Sequence, residues 1–119
     1  MSNEIFHNYP SGSKLDTYLW SKTDDKVFDQ ADGGNTFETW EDGNVLNYDI
    51  PMTDHGGDYY SVDFPSVVTT PGIYRAVIAV RAGANAAVGD RRIAQGEGYW
   101  DGVSEINLFT EIESWQKNG

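Results

Sequence analysis

The chain has 119 residues, a length at which one domain with one modest core is expected. Its net charge is −11 and it holds no cysteine, which excludes disulfides, thiolate metal sites and cysteine nucleophiles. The acidity repels phosphate and anionic headgroups, so neither nucleic acid nor a membrane is an expected partner.

The start of the chain shows no basic and apolar leader, so no signal peptide is expected, and no apolar run reaches the ~18 residues of a membrane span. Residues 1–13 read as an N-terminal arm, because Asn8, Pro10, Ser11, Gly12 and Ser13 favour turns and loops. From residue 14 the chain alternates. Leu15, Thr17 and Leu19 share one strand face, and Lys14, Asp16, Tyr18 and Trp20 share the other. Residues 21–25 turn, and Lys26, Val27 and Phe28 make a short second strand. Residues 29–35 turn again on Gly33 and Gly34. Phe37 and Thr39 resume the alternation before a turn at 41–44. Leu46, Tyr48 and Ile50 then share one face of a further strand, which Pro51 closes.

After a turn at 54–58, Tyr60, Val62 and Phe64 alternate. The clearest strand covers 73–81, with Tyr74, Ala76, Ile78 and Val80 inward and Arg75, Val77, Ala79 and Arg81 outward. A loop at 82–90 leads to a weaker strand at 91–100, where Gly96 and Gly98 predict a bulge or close backbone approach. Residues 105–112 alternate once more. Leu108, Ile112 and Trp115 also fit helical spacing, which leaves a short C-terminal helix open. Many short strands between frequent turns predict an all-β fold: a single antiparallel β-sandwich over 14–110, with a tail at 111–119.

Few residues suggest chemistry. Asp24, Asp25, Asp29, Asp32 and Asn35 could supply oxygen ligands to calcium, but they lack the EF-hand spacing and suit turns on their own account. His7 and His55 are isolated, with surface or loop positions expected, and no nucleophile elbow or phosphate loop is present. No catalytic residue, metal or cofactor is therefore expected. Tyr18, Trp20, Tyr59, Tyr99 and Trp100 would pack at a core or edge, or else anchor a partner or stack on a sugar. Arg81, Arg91 and Arg92 flank the 82–90 loop and would gather at its base, either paired with Asp90 or Glu97 or as a basic contact spot. Ile5, Phe6 and Tyr9 in the arm, with Ile112 and Trp115 in the tail, are apolar residues outside clear strands. Docking on a neighbouring subunit is expected of them, with folding back on the sandwich as the alternative.

Between residues 37 and 102 several short strings follow one another. Phe37-Glu38-Thr39-Trp40 precedes Asn47-Tyr48-Asp49-Ile50-Pro51, and Tyr59-Tyr60 leads to Phe64-Pro65. Pro71-Gly72-Ile73-Tyr74 opens a strand ending in Arg81-Ala82-Gly83. Asp90 then precedes Ile93, Gly96 and Trp100-Asp101-Gly102. This stretch resembles small β-sandwich domains encoded among phage and prophage virion genes. The resemblance implies an immunoglobulin-like or jelly-roll-like sandwich in which Tyr74 acts as a corner tyrosine bonded back to the backbone. It also implies a non-catalytic structural or decoration subunit of a phage-like virion, made in the host cytoplasm. Its partners would be capsid, neck or tail proteins, or further copies of itself. The alternative is a small glycan- or receptor-binding module using exposed aromatics, and a small hydrolase is the third reading.

Overall fold

The computed structural model describes residues 5–32, 34, 36–102 and 105–106. Two antiparallel sheets pack face to face, as expected of a β-sandwich. At the centre of the larger, seven-stranded sheet lie β2 (Leu15–Ser21) and β8 (Gly72–Val80), paired along their length from Leu15↔Val80 to Ser21↔Tyr74. On the far side of β8 runs β9 (Arg91–Trp100), with β10 (Glu105–Ile106) at its end. Two elements divide the other edge of β2: β5 (Ile50–Pro51) pairs with its start, and β3 (Lys26–Phe28) pairs with its end and carries β4 (Phe37–Glu38) beyond. The smaller sheet has the order β1 (Ile5–Asn8), β7 (Tyr59–Val62), β6 (Thr53–Asp54). Among the described residues no helix is long and apolar enough to cross a membrane.

Strict alternation explains why β2 and β8 sit in the middle. Leu15, Leu19, Tyr74, Ala76 and Ile78 are all buried on the face turned toward the smaller sheet, and Val80 packs against them half-buried. There they meet Ile5, Tyr60 and Phe64. Aromatic rings run through this core: Phe28 touches Phe37, Phe37 touches Tyr74, and Phe64 lies between Tyr74 and Trp100. Phe64 and Trp100 are near-parallel at 4.0 Å, and the Trp100 indole donates to the Val68 carbonyl. The Tyr74 hydroxyl donates to the backbone carbonyl of Thr70 at 2.5 Å, closing the corner before β8.

Three sequence expectations change. Residues 5–8 are not a free arm but β1, and Ile5 and His7 are buried against the chain's own core. The polar stretch after it is fastened down: Tyr60 donates its hydroxyl to the Pro10 carbonyl, and Asp54 accepts the Gly12 amide. His7 is therefore no surface histidine, and Ile5 does not await a neighbouring subunit. Second, the strand expected through Leu46 and Tyr48 is a 3₁₀ turn (Asp42–Asn44) running into a helical turn, α1 (Val45–Tyr48). Its local bonds, Asn44 to Glu41 and Asp49 to Val45, need only one buried side chain; Tyr48 supplies it and Leu46 stays 61% exposed. Third, the irregularity in β9 is not at Gly96 or Gly98, which pair regularly with Ala76 and Tyr74. It falls between the pairs Ile78↔Ala94 and Ala79↔Arg92, so Ile93 is the extra residue of a bulge.

Beyond β9 the chain turns at Gly102, whose φ is +98 and where a Cβ would stand 2.6 Å from the Thr69 carbonyl oxygen. Both the backbone angle and the contact exclude a side chain. Gly102→Ala is expected to lose more than about 1 kcal/mol of stability in urea unfolding; an unchanged midpoint would show that this turn is not fixed. The proposed C-terminal helix, the apolar residues Leu108 and Ile112, and Trp115 lie outside the described residues.

Candidate functional site

The outer face of the larger sheet is where the sandwich departs from a simple two-layer plan. Cross-strand rows set its pattern. Val27, Trp20, Arg75 and Glu97 form one row, and Tyr18, Val77 and Gln95 form the next. Asp16, Ala79 and Arg92 form a third. In an open sheet these side chains would face water, yet Tyr18, Val27 and Ala79 are buried. Tyr48 from α1 and Trp40 just past β4 cover them, and together they make a second, smaller core. Glu38 points to this face, so Trp40, two residues on, returns to it.

Trp40 organises the site. Its ring lies 5.6 Å from that of Trp20 at an interplanar angle of 17°, and meets Tyr18 edge-on at 5.5 Å. Behind it Tyr48 closes to 4.8 Å. The Tyr48 hydroxyl donates to the Glu38 carboxylate, which that bond holds below the usual carboxylate range. Burial, helped by the charge of Asp16, pushes the Tyr18 hydroxyl up to about 12, so it remains a neutral phenol. It has no hydrogen-bond partner among the described residues.

Tyr18, Trp20 and Trp40 floor an open groove of about 530 Å³, which Val77 and Ser21 also line and which Lys22, Asp25, Arg75 and Arg92 rim. Arg75 and Lys22 both bind the Glu97 carboxylate, at 2.8 and 3.1 Å, and the Arg75 bonds hold it below its ordinary range. Arg92 differs. Its guanidinium carbon stands 5.0 Å over the Tyr18 ring and 5.9 Å over that of Trp40. Its Nη1 donates to the carbonyls of Asp90 (2.8 Å) and Val88 (3.3 Å). The Asp90 carboxylate accepts the amides of Ala82 and Ala87, which fixes the loop that presents those carbonyls.

The expected basic spot at the loop base therefore separates into three. Only Arg92 reaches the groove. Arg81 forms a two-pronged pair with buried Asp16, at 2.6 and 2.8 Å, and approaches Asp49 at 3.5 Å. Burial, and next the charge of Asp16, raises the Asp49 carboxyl. Arg91 points elsewhere and donates to the Tyr9 hydroxyl. The exchange expected with Glu97 falls to Arg75 instead, because Arg75 and Glu97 are directly paired across β8 and β9.

Of the aromatic candidates, Tyr18 and Trp20 belong to the groove. Trp100 is a core residue and offers no surface, and Tyr59 lies against His55 at 5.0 Å. Phe6 is half-buried on β1, in the other sheet, and Trp115 lies outside the described residues. Alternation alone could have located Trp40, since it shares parity with Glu38. Lys22 carried no sequence signal, Asp25 was read as a turn or calcium residue, and Arg75 only as an outward strand position; pairing with Trp20 across the sheet brings Arg75 to the groove.

Two further arrangements bear on chemistry. His55 Nε2 and Ser61 Oγ are 2.6 Å apart, the spacing of a base and a nucleophile. Ser61 is buried, however, and no carboxylate orients the other His55 nitrogen among the described residues. In the acidic stretch, Asp29 accepts the Ala31 amide as a turn residue, and Asp24 and Asp25 are exposed. The Asp32 side chain and Asn35 are outside the described residues. Among those described, no group of three or more His, Asp or Glu is placed to hold a metal ion. Compared with family models, curated proteins and solved structures, the chain matches none.

Proposed function

We propose that this protein is a non-catalytic glycan-binding module whose ligand lies in the groove floored by Tyr18, Trp20 and Trp40. The observation that carries the reading is the Trp20–Trp40 pair. Near-parallel rings at that separation are offset, and both tryptophans are only half-buried. The negative face of an indole attracts the polarised C–H groups on one side of a sugar ring, and two adjoining faces suit two linked rings. Size supports the same choice. The groove falls within the ~300–1,000 Å³ of small-ligand sites. The test is a glycan array probed with the full chain and with Trp20→Ala and Trp40→Ala, each checked for folding by a thermal melt. Binding that both folded variants lose supports the reading. An array without binding, or binding that both variants keep, overturns it.

A separate observation favours placing this module on a particle. Ile73 and Tyr99 are opposed across β8 and β9, and they are 48% and 40% exposed. An apolar pair of this kind fits a contact with a capsid, neck or tail protein, or with a second copy. In this reading the protein is a structural or decoration subunit of a phage-like virion. Co-sedimentation with particles that Ile73→Ser weakens supports this placement; failure to co-sediment overturns it.

A further inference from the structure

We infer that the groove selects sugars that carry a carboxylate, gripped side-on by Arg92. This rests on the glycan reading of the same groove and adds the chemical class of ligand. The guanidinium is held in place before any ligand arrives. Nη1 is used by the Val88 and Asp90 carbonyls, and the cation lies over Tyr18 and Trp40. The remaining edge, formed by Nε and Nη2, has no acceptor among the described residues.

Neighbouring arginines show the contrast. Arg75 gives Nε and Nη2 to Glu97, and Arg81 gives the same two atoms to Asp16. Arg92 has no carboxylate of its own among the described residues, although the chain carries 19 Asp and Glu against 8 Lys and Arg. The free edge is planar, with two parallel N–H groups, and it matches the two oxygens of a planar carboxylate. Arg92 lines the groove together with Trp20 and Trp40, so one ligand can place a ring face on the indoles and its acid group on Arg92. A neutral sugar would leave that edge to water. A sulfate can also take the fork through two of its oxygens and is the competing anion in the test. An acidic peptide offers the carboxylate but not the rigid C–H face of a sugar ring that the two indoles accept.

The test uses the full chain and a panel of uronic-acid oligosaccharides, each paired with its methyl ester. Esterification keeps the rings and removes the charge. Affinities are read by tryptophan fluorescence and calorimetry. The expected result is a preference for the acid of about tenfold or more. In Arg92→Gln the acid and its ester should bind alike, because the acid loses the affinity that the fork supplies. Arg92→Lys, which keeps the charge but not the fork, should restore little of it. Esters that bind as well as acids overturn the inference and leave the glycan reading standing. So does an Arg92→Lys variant with the full preference, or a sulfated sugar that binds more tightly than its carboxylated counterpart. Acidic peptides that bind where no sugar does overturn both.

Discussion

Arg81→Met is expected to cost about 3–5 kcal/mol at pH 7, the usual penalty for leaving a buried charge without its partner. Asp16 is fully buried and receives two bonds from Arg81, and Asp49 lies on the other side of the same guanidinium. Arg81 also donates to the Ala84 carbonyl, so its removal loosens the base of the 82–90 loop. The pH dependence follows from Asp49. Its carboxyl is already raised in the folded protein, and losing Arg81 raises it further. A carboxyl with a folded pKa above its unfolded value is most costly at neutral pH, and the cost falls as acid protonates it. The deficit of Arg81→Met against wild type should therefore shrink between pH 7 and pH ~5. Adding Asp16→Asn should recover part of it. Urea unfolding at the two pH values checks both; a deficit under about 1 kcal/mol would mean the pair is solvated and contributes as a surface bridge does.

Trp100→Ala should be at least as damaging, at about 3–5 kcal/mol. Its ring stacks on Phe64 and its indole N–H satisfies a buried Val68 carbonyl. Trp100→Phe separates these contributions. It keeps a ring against Phe64 but leaves the carbonyl without a donor, a loss of about 1–3 kcal/mol. Equal losses for the two variants would assign the whole effect to the hydrogen bond.

Much of the sandwich was legible because its central strands obey a period of two. On β2 and β8, Leu15, Leu19, Tyr74, Ala76 and Ile78 mark the inner face, and the turn formers Asp16, Ser21 and Gly72 fall only at or next to the strand ends. Where the reading failed, local composition masked a long-range contact. Pro10, Ser11 and Gly12 do make a turn, but Asp54 and Asp58 secure it, and Ile5 inserts into the core ahead of it. Residues 45–48 bury one aromatic side chain, and one buried residue cannot distinguish a strand from a helical turn.

The groove was half legible. Tyr18 and Trp20 stood out because they lie opposite an apolar face. Their burial depends on Trp40 and Tyr48, which arrive from twenty or more residues away, and that juxtaposition has no local periodicity. Arg92 was visible only as one of three arginines near a loop. What sets it apart is which of its donors are already occupied, and only the folded geometry determines that.

The central claim is that Trp20 and Trp40 carry a ligand on the outer sheet face while the core remains uninvolved. The indole N–H signals of ¹⁵N-labelled protein report this directly when the oligosaccharide selected from the array is titrated in. Trp100 serves as the internal control, because its indole is buried and bonded to Val68. Progressive shifts of the Trp20 and Trp40 signals with a common affinity are expected, with a stationary Trp100 signal. Stationary Trp20 and Trp40 signals, or a Trp100 signal that moves with them, would contradict it.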